Sequence, residues 1–122
     1  MKNLYSIFLN NLKKNNYIYQ NGKSFTFKEI NNYVIIISRF IHAHKKINKI
    51  LVISENQIDN IAVMLAAAKL NKTIIPLNIG LHIDQIIKIR KIIKPDIAIL
   101  SKNFLHYKKY FFKKVIFFEN IL

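Results

Sequence analysis

Few side chains in this sequence are of types that do chemistry, and their spacing suits them poorly for it. His42 and His44 form an H-x-H pair where the pattern predicts a helix end. Residues i and i+2 of a helix diverge by about 200°, so the two imidazoles do not face a common metal ion. His82 and His106 have no ligand-type neighbours in sequence and read as surface or packing residues. Glu29 follows Thr26 by three positions, a T-x-x-E pattern that caps a helix, so it reads as a cap rather than a general base. Asp84 opens a predicted helix, where a carboxylate complements the helix dipole. With no cysteine, disulfides, thiolate metal sites and cysteine nucleophiles are excluded. The sequence therefore offers no catalytic residue, no cofactor-binding residue and no metal ligand set.

Charge is the next candidate for function. Twenty Lys+Arg face six Asp+Glu, a formal net charge of +14. Only Arg39 and Arg90 are arginine, however, and the bidentate arginine fork is what base edges and phosphates select. Lysine, isoleucine and asparagine share A/T-rich codons, so base composition alone can raise all three. These points argue against nucleic acid as the partner. Residues 104–114, FLHYKKYFFKK, interleave aromatics with Lys108, Lys109, Lys113 and Lys114. That segment reads as an amphipathic helix with snorkelling lysines, and the alternative is a single-strand or anionic membrane surface binder.

The remaining pattern is that of an α/β domain. Hydrophobic residues make up 52% of 122, enough for one core and too little chain for a second domain. Leu4, Phe8 and Leu12 predict a short helix over 4–12. Segments 17–20 and 24–27 flank Asn21-Gly22, a hairpin turn signal. A helix from Phe27 into the low forties follows, with Ile30, Tyr33, Val34, Ile37 and Ile41 on one face, and with Lys45 and Lys46 favouring its C-terminus. Residues 49–54 read as a strand buried on both faces. An almost wholly apolar helix to about Leu70 ends at Asn71, which can take a left-handed conformation. A buried strand over 73–77, a helix opened by Asp84 and stopped by Pro95, a strand over 97–100, a basic aromatic helix over 104–112 and a last strand over 115–118 complete the chain. Strand–helix alternation predicts a mostly parallel sheet with helices on both faces and an N-terminal β-hairpin. No apolar run is long enough to span a bilayer or serve as a secretory signal, so a cytoplasmic protein is expected.

The order of these local sequences resembles adenylate-forming (AMP-binding) acyl-CoA synthetases over about residues 17–100. The family's [L/I]-[T/S]-[Y/F]-x-E-L is similar to Phe25-Thr26-Phe27-Lys28-Glu29-Ile30. Its N-x-x-[E/D] after a strand matches Asn56-Gln57-Ile58-Asp59. Its L-A-x-x-K-A-G-A-x-x-V-P-L-N resembles residues 65–78, ending in Pro76-Leu77-Asn78, with Lys69-Leu70-Asn71 in place of Lys-Ala-Gly. Asp84-Gln85-Ile86 and Pro95-Asp96-Ile97 follow in the family's order.

The resemblance implies a partial domain, residues 1–122 forming the N-terminal subdomain of such a ligase. It further implies that the complete enzyme uses ATP, Mg and CoA to convert a carboxylic acid through an acyl-adenylate into a thioester. Phosphate cradles need glycine, and the sequence holds only Gly22 and Gly80, neither in a Ser/Thr/Gly-rich segment ending in Pro-Lys. On this reading the chain is inactive alone and binds no cofactor by itself, and its partner is the missing remainder of a split ligase. The alternative is a small basic α/β binding protein for nucleic acid or an anionic membrane surface.

Overall fold

The computed structural model describes residues 3–12, 16–44, 46–110 and 114–121. Helix α1 (Leu4–Leu9) is capped by Asn3, whose side chain accepts from Ser6 N while Ser6 Oγ accepts from Asn3 N. It is shorter than the predicted 4–12. Asn11 donates from its side chain to the Ile7 carbonyl, and such side-chain bonds compete with the helix ladder. Strands β1 (Tyr17–Gln20) and β2 (Lys23–Thr26) form the antiparallel hairpin, with Asn21 at φ 52 and Gly22 at φ 77 supplying the positive φ values its turn needs.

Helix α2 (Phe27–Ala43) starts at Thr26, whose hydroxyl accepts from Glu29 N. The predicted capping box is half made: the Thr26 hydroxyl donates to the Glu29 carboxylate instead of the carboxylate reaching back to the backbone. Ile30, Val34, Ile37, Ser38 and Ile41 are buried and Tyr33 is half-buried, so the predicted stripe is the observed one plus a serine. The Ser38 hydroxyl is satisfied by donating to the Val34 carbonyl. Lys45 lies outside the described residues, and His44 forms the C-cap.

Strand β3 (Lys49–Ile53) leads to α3 (Gln57–Leu70), which ends on Asn71 at φ 56, as its sequence predicts. The next strand, β4 (Thr73–Pro76), is not the buried strand expected. It lies at the sheet edge, half-exposed. Its amides at Thr73 and Leu77 bond to Asn48 and Val52 carbonyls of the β3 side. Alternation along the strand then turns Ile74 and Pro76 outward, so the missing proline N–H costs no ladder bond.

Helix α4 (Ile83–Ile93) crosses to β5 (Ile97–Leu100), and a 3₁₀ segment (Lys102–Tyr110) leads to β6 (Lys114–Phe117) and α5 (Phe118–Ile121). The α-helix expected over 104–112 is 3₁₀ where described, broken at Phe104, and buries no side chain. Its positions 111–113, including Lys113, lie outside the described residues.

The four-stranded sheet is parallel, in the order β4-β3-β5-β6, and helices flank both of its faces. Ile50, Val52, Ile97 and Ile99 face α1, α2 and α3, with Phe118 of α5 closing the layer. Leu51, Ile53, Ala98 and Leu100 face the α4 side, where Ile86 is the one α4 side chain fully buried. The core is therefore thick on one face and thin on the other.

Two substitutions separate backbone from packing. Ile50→Ala, at a fully buried position, is expected to cost about 2–5 kcal/mol. Asn71→Gly should be neutral or better, whereas Asn71→Val, strained at positive φ, should cost about 1–2 kcal/mol. Urea midpoints at constant m-value measure all three.

Candidate functional site at the strand switch point

In an open parallel sheet, ligands gather where the strand order reverses, at the carboxyl ends of the strands. Here the chain leaves β3 for β4 on one side and returns to β5 on the other, so the crevice lies beyond Ile53 and Leu100. The residues that reach it are Ser54, Glu55 and Asn56 after β3, Ser101 and Asn103 after β5, and Glu119 of α5.

They are bonded mainly to one another. The Glu55 carboxylate accepts from Ser101 Oγ and from Asn103 Nδ2, each at 2.6 Å. The Glu119 carboxylate accepts from Lys102 N with both oxygens, at 3.1 and 2.9 Å. At the start of α3, Asn56 Oδ1 accepts from Asp59 N at 3.1 Å, and Gln20 Oε1, reaching over from the hairpin, accepts from Ile58 N at 2.8 Å. Asn60 Nδ2 donates to the Ser54 carbonyl. The helix N-terminus, ordinarily a ready anion site, thus has two of its amides, Ile58 N and Asp59 N, occupied by side chains of the same chain.

The electrostatics point the same way. Burial first, then the charges of Glu119 and Glu55, push the half-buried Asp59 carboxyl up to about 6. Burial also pushes the Glu55 carboxyl upward, but hydrogen bonds from Ser101, its own backbone and Asn103 outweigh it and hold it below the ordinary carboxylate range. Three carboxylates around one helix start repel phosphate.

These residues do not fit a nucleotide with Mg. The Glu55 and Glu119 oxygens are taken by protein donors, and among the described residues no group of His, Cys, Asp and Glu is arranged to hold a metal ion. Neither glycine serves as a phosphate cradle. Gly22 occupies the hairpin turn, and Gly80 N donates to Asn78 Oδ1 within its own turn. The crevice is built to tie loops together.

The residues singled out from sequence are scattered. His42 is exposed. His44 Nδ1–H donates to the Phe40 carbonyl at 2.8 Å, leaving Nε2 to accept from Lys114 Nζ at 2.6 Å. His82 does more than sit on the surface. It is the N-cap of α4, with Nδ1 accepting from Asp84 N and the Gln85 side chain accepting from His82 N. A Gln three residues after a polar residue is the signal that could have shown this. His106 packs on Tyr107, ring centroids 4.2 Å apart. Sequence reasoning missed the Glu55–Ser101–Asn103 cluster, because its members lie 46 and 48 residues apart.

With this geometry in view, comparison with known proteins is informative. No protein-family model and no curated protein matches the sequence. Solved structures do match. VinN in complex with 3-methylaspartate superposes with a TM-score of 0.84 at 15% identity, over 96% of this chain and 34% of VinN. The anthranilate CoA ligase AuaEII in complex with anthranoyl-AMP gives 0.84 at 12% identity, over 98% and 27%. The O-succinylbenzoate coenzyme A synthetase MenE from Bacillus subtilis, in complex with AMP, gives 0.82 at 14% identity, over 99% and 32%. The chain spans about a third of the length of these adenylate-forming ligases, and its fold is that of part of such a ligase domain.

Two outcomes test the site's wiring. A carboxylate whose folded-state value lies above its unfolded one binds its proton more tightly when folded, so the contribution of Asp59 to stability is fully present at low pH and is lost as pH rises from about 4 to about 6. Asp59→Asn should flatten that slope in thermal unfolding and stabilise the protein at pH 7 by about 1 kcal/mol, discounted for partial exposure. Gln20→Ala leaves Ile58 N without its cap and should cost about 1 kcal/mol, with faster amide exchange at the start of α3 than in its middle.

Proposed function

We propose that this chain is the N-terminal portion of an AMP-forming acid–thiol ligase of the acyl-CoA synthetase type, acting as a scaffold inactive alone. The observation that carries the proposal is the superposition of nearly the whole chain, 96–99%, on about a third of several adenylate-forming ligases. The motifs at residues 25–30, 56–59, 65–78 and 84–86 support it, and each has a structural role. They cap α2 and α3, end α3 in a left-handed residue, close β4 with a proline and start α4.

On this reading the complete enzyme joins a carboxylic acid to the α-phosphorus of ATP, expelling pyrophosphate, and then passes the acyl group to the thiol of CoA, expelling AMP. Nucleotide and Mg contacts come from the rest of the ligase fold, since the residues present here do not fit them. This segment holds the sheet that the active-site loops stand on.

The isolated chain is expected to show no carboxylate-dependent exchange of pyrophosphate into ATP. Exchange above a buffer control, across a panel of aryl and aliphatic acids, would overturn the scaffold assignment. Restored exchange on co-expression with a polypeptide carrying the remaining ligase motifs would establish it.

A further inference from the structure

Helices α2, α3 and α4 each run back toward the start of a strand, so all three end at the amino ends of the parallel sheet. Hydrogen bonds tie that end into one surface. Lys72 Nζ donates to Asn48 Oδ1 at 3.3 Å, and Lys49 Nζ donates to the Ile93 carbonyl at 3.1 Å, at the close of α4. Both acceptors are neutral, so these bonds place two cations without cancelling their charge. Exposed Lys46 precedes Asn48, and exposed Lys91 and Lys94 stand in the last turn and at the C-cap of α4. Of the six acidic residues only Asp96 lies here, and its Oδ2 accepts from Asn48 N and Lys49 N at 2.9 Å each. The other five lie toward the strands' carboxyl ends. Among these lysines Ile92 is 72% exposed, the most exposed large apolar side chain of the described residues.

We propose that this end of the sheet docks on an anionic bilayer surface, with Ile92 entering the lipid interface between lysines that meet the headgroups. Lysines gathered near such a surface are drawn by its negative potential, and each adds to the attraction. An isoleucine held out in water gains by entering the interface, while the lysines around it reach back to the headgroups. Nucleic acid fits the patch less well. A phosphate backbone offers no apolar phase for Ile92, and Arg90, the arginine of the same turn, directs its guanidinium to the Tyr110 carbonyl. Among the described residues the exposed large aromatics, on which unpaired bases would stack, are Tyr17 and Tyr19 of the hairpin. Docking at the amino ends of the strands needs no ligase partner. It leaves the crevice and its acids turned away from the lipid charge.

The test uses the full chain and vesicles of phosphatidylcholine, with or without about one-third phosphatidylserine. Co-sedimentation is expected with the anionic vesicles alone and should weaken as salt is raised. Lys46→Gln, Lys91→Gln and Lys94→Gln together should reduce partitioning about a hundredfold, and Ile92→Ser alone about tenfold. All four positions are exposed, so thermal midpoints should stay close to the parent's. The chain has no cysteine, so Ile92→Cys takes a single polarity-sensitive fluorophore. Its emission should shift to the blue on anionic vesicles. The same label at Lys28→Cys, at the start of α2 and the opposite end of the sheet, should not move. Partitioning that ignores headgroup charge or the lysine triple overturns the proposal, as does a shift at residue 28 without one at residue 92. Lys108→Gln with Lys109→Gln should change little, and a loss as large as the triple's would move the site to the 3₁₀ segment. Single-stranded DNA binding that the triple abolishes and Ile92→Ser spares, without vesicle partitioning, gives the patch to nucleic acid and overturns the lipid assignment.

Discussion

Everything in this molecule hangs on the need to keep β3 dry on both faces. Ile50 and Val52 point to one side and Leu51 and Ile53 to the other, and all four are buried. A strand of this kind cannot exist at a surface, because each face leaves two large apolar side chains to be covered. One layer of helices satisfies half of that demand, and α3, almost entirely apolar and flanked by α1 and α2, is shaped for it. The other half obliges the chain to cross the sheet after β4 and lay α4 and the 3₁₀ segment underneath. The reversal in strand order is thus forced by burial, and the crevice it creates is a by-product.

That crevice shows how the same architecture can satisfy its own helix start with side chains. Doubly wound folds leave helix amides pointing at the switch point. Here Gln20 and Asn56 take those amides, and Glu55 spans the gap to Ser101 and Asn103. The result couples the hairpin, the start of α3 and the loop after β5 through a few short hydrogen bonds. The raised Asp59 carboxyl is first the local cost of burying an acid there, with Glu119 and Glu55 adding to it.

Much of the fold was legible in the sequence because it depends on local rules. Asn21-Gly22 dictates its turn, Thr26 its cap, Asn71 its left-handed ending, and the continuous apolar runs at 50–53 and 97–100 their burial. The failures are equally physical. β4 has the composition of a buried strand, and only strand order makes it an edge. The segment after β5 has helical spacing, yet it is 3₁₀ and broken at Phe104, with Phe104 and Tyr107 half-buried against the second core. The acid cluster depends on loops nearly fifty residues apart, and no local pattern announces such a meeting.

The placement of acids has one more consequence. The helices that follow strands begin at the strands' carboxyl ends, and α2, running back toward β3, begins there too. Glu29, Glu55, Asp59 and Asp84 lie at those starts and Glu119 beside them, while Asp96 alone stands at the opposite end, bonded to Asn48 N and Lys49 N. Five of the six acidic residues thus share one pole. Negative charge is concentrated at one end of the sheet, and Asp96 alone supplies it at the other.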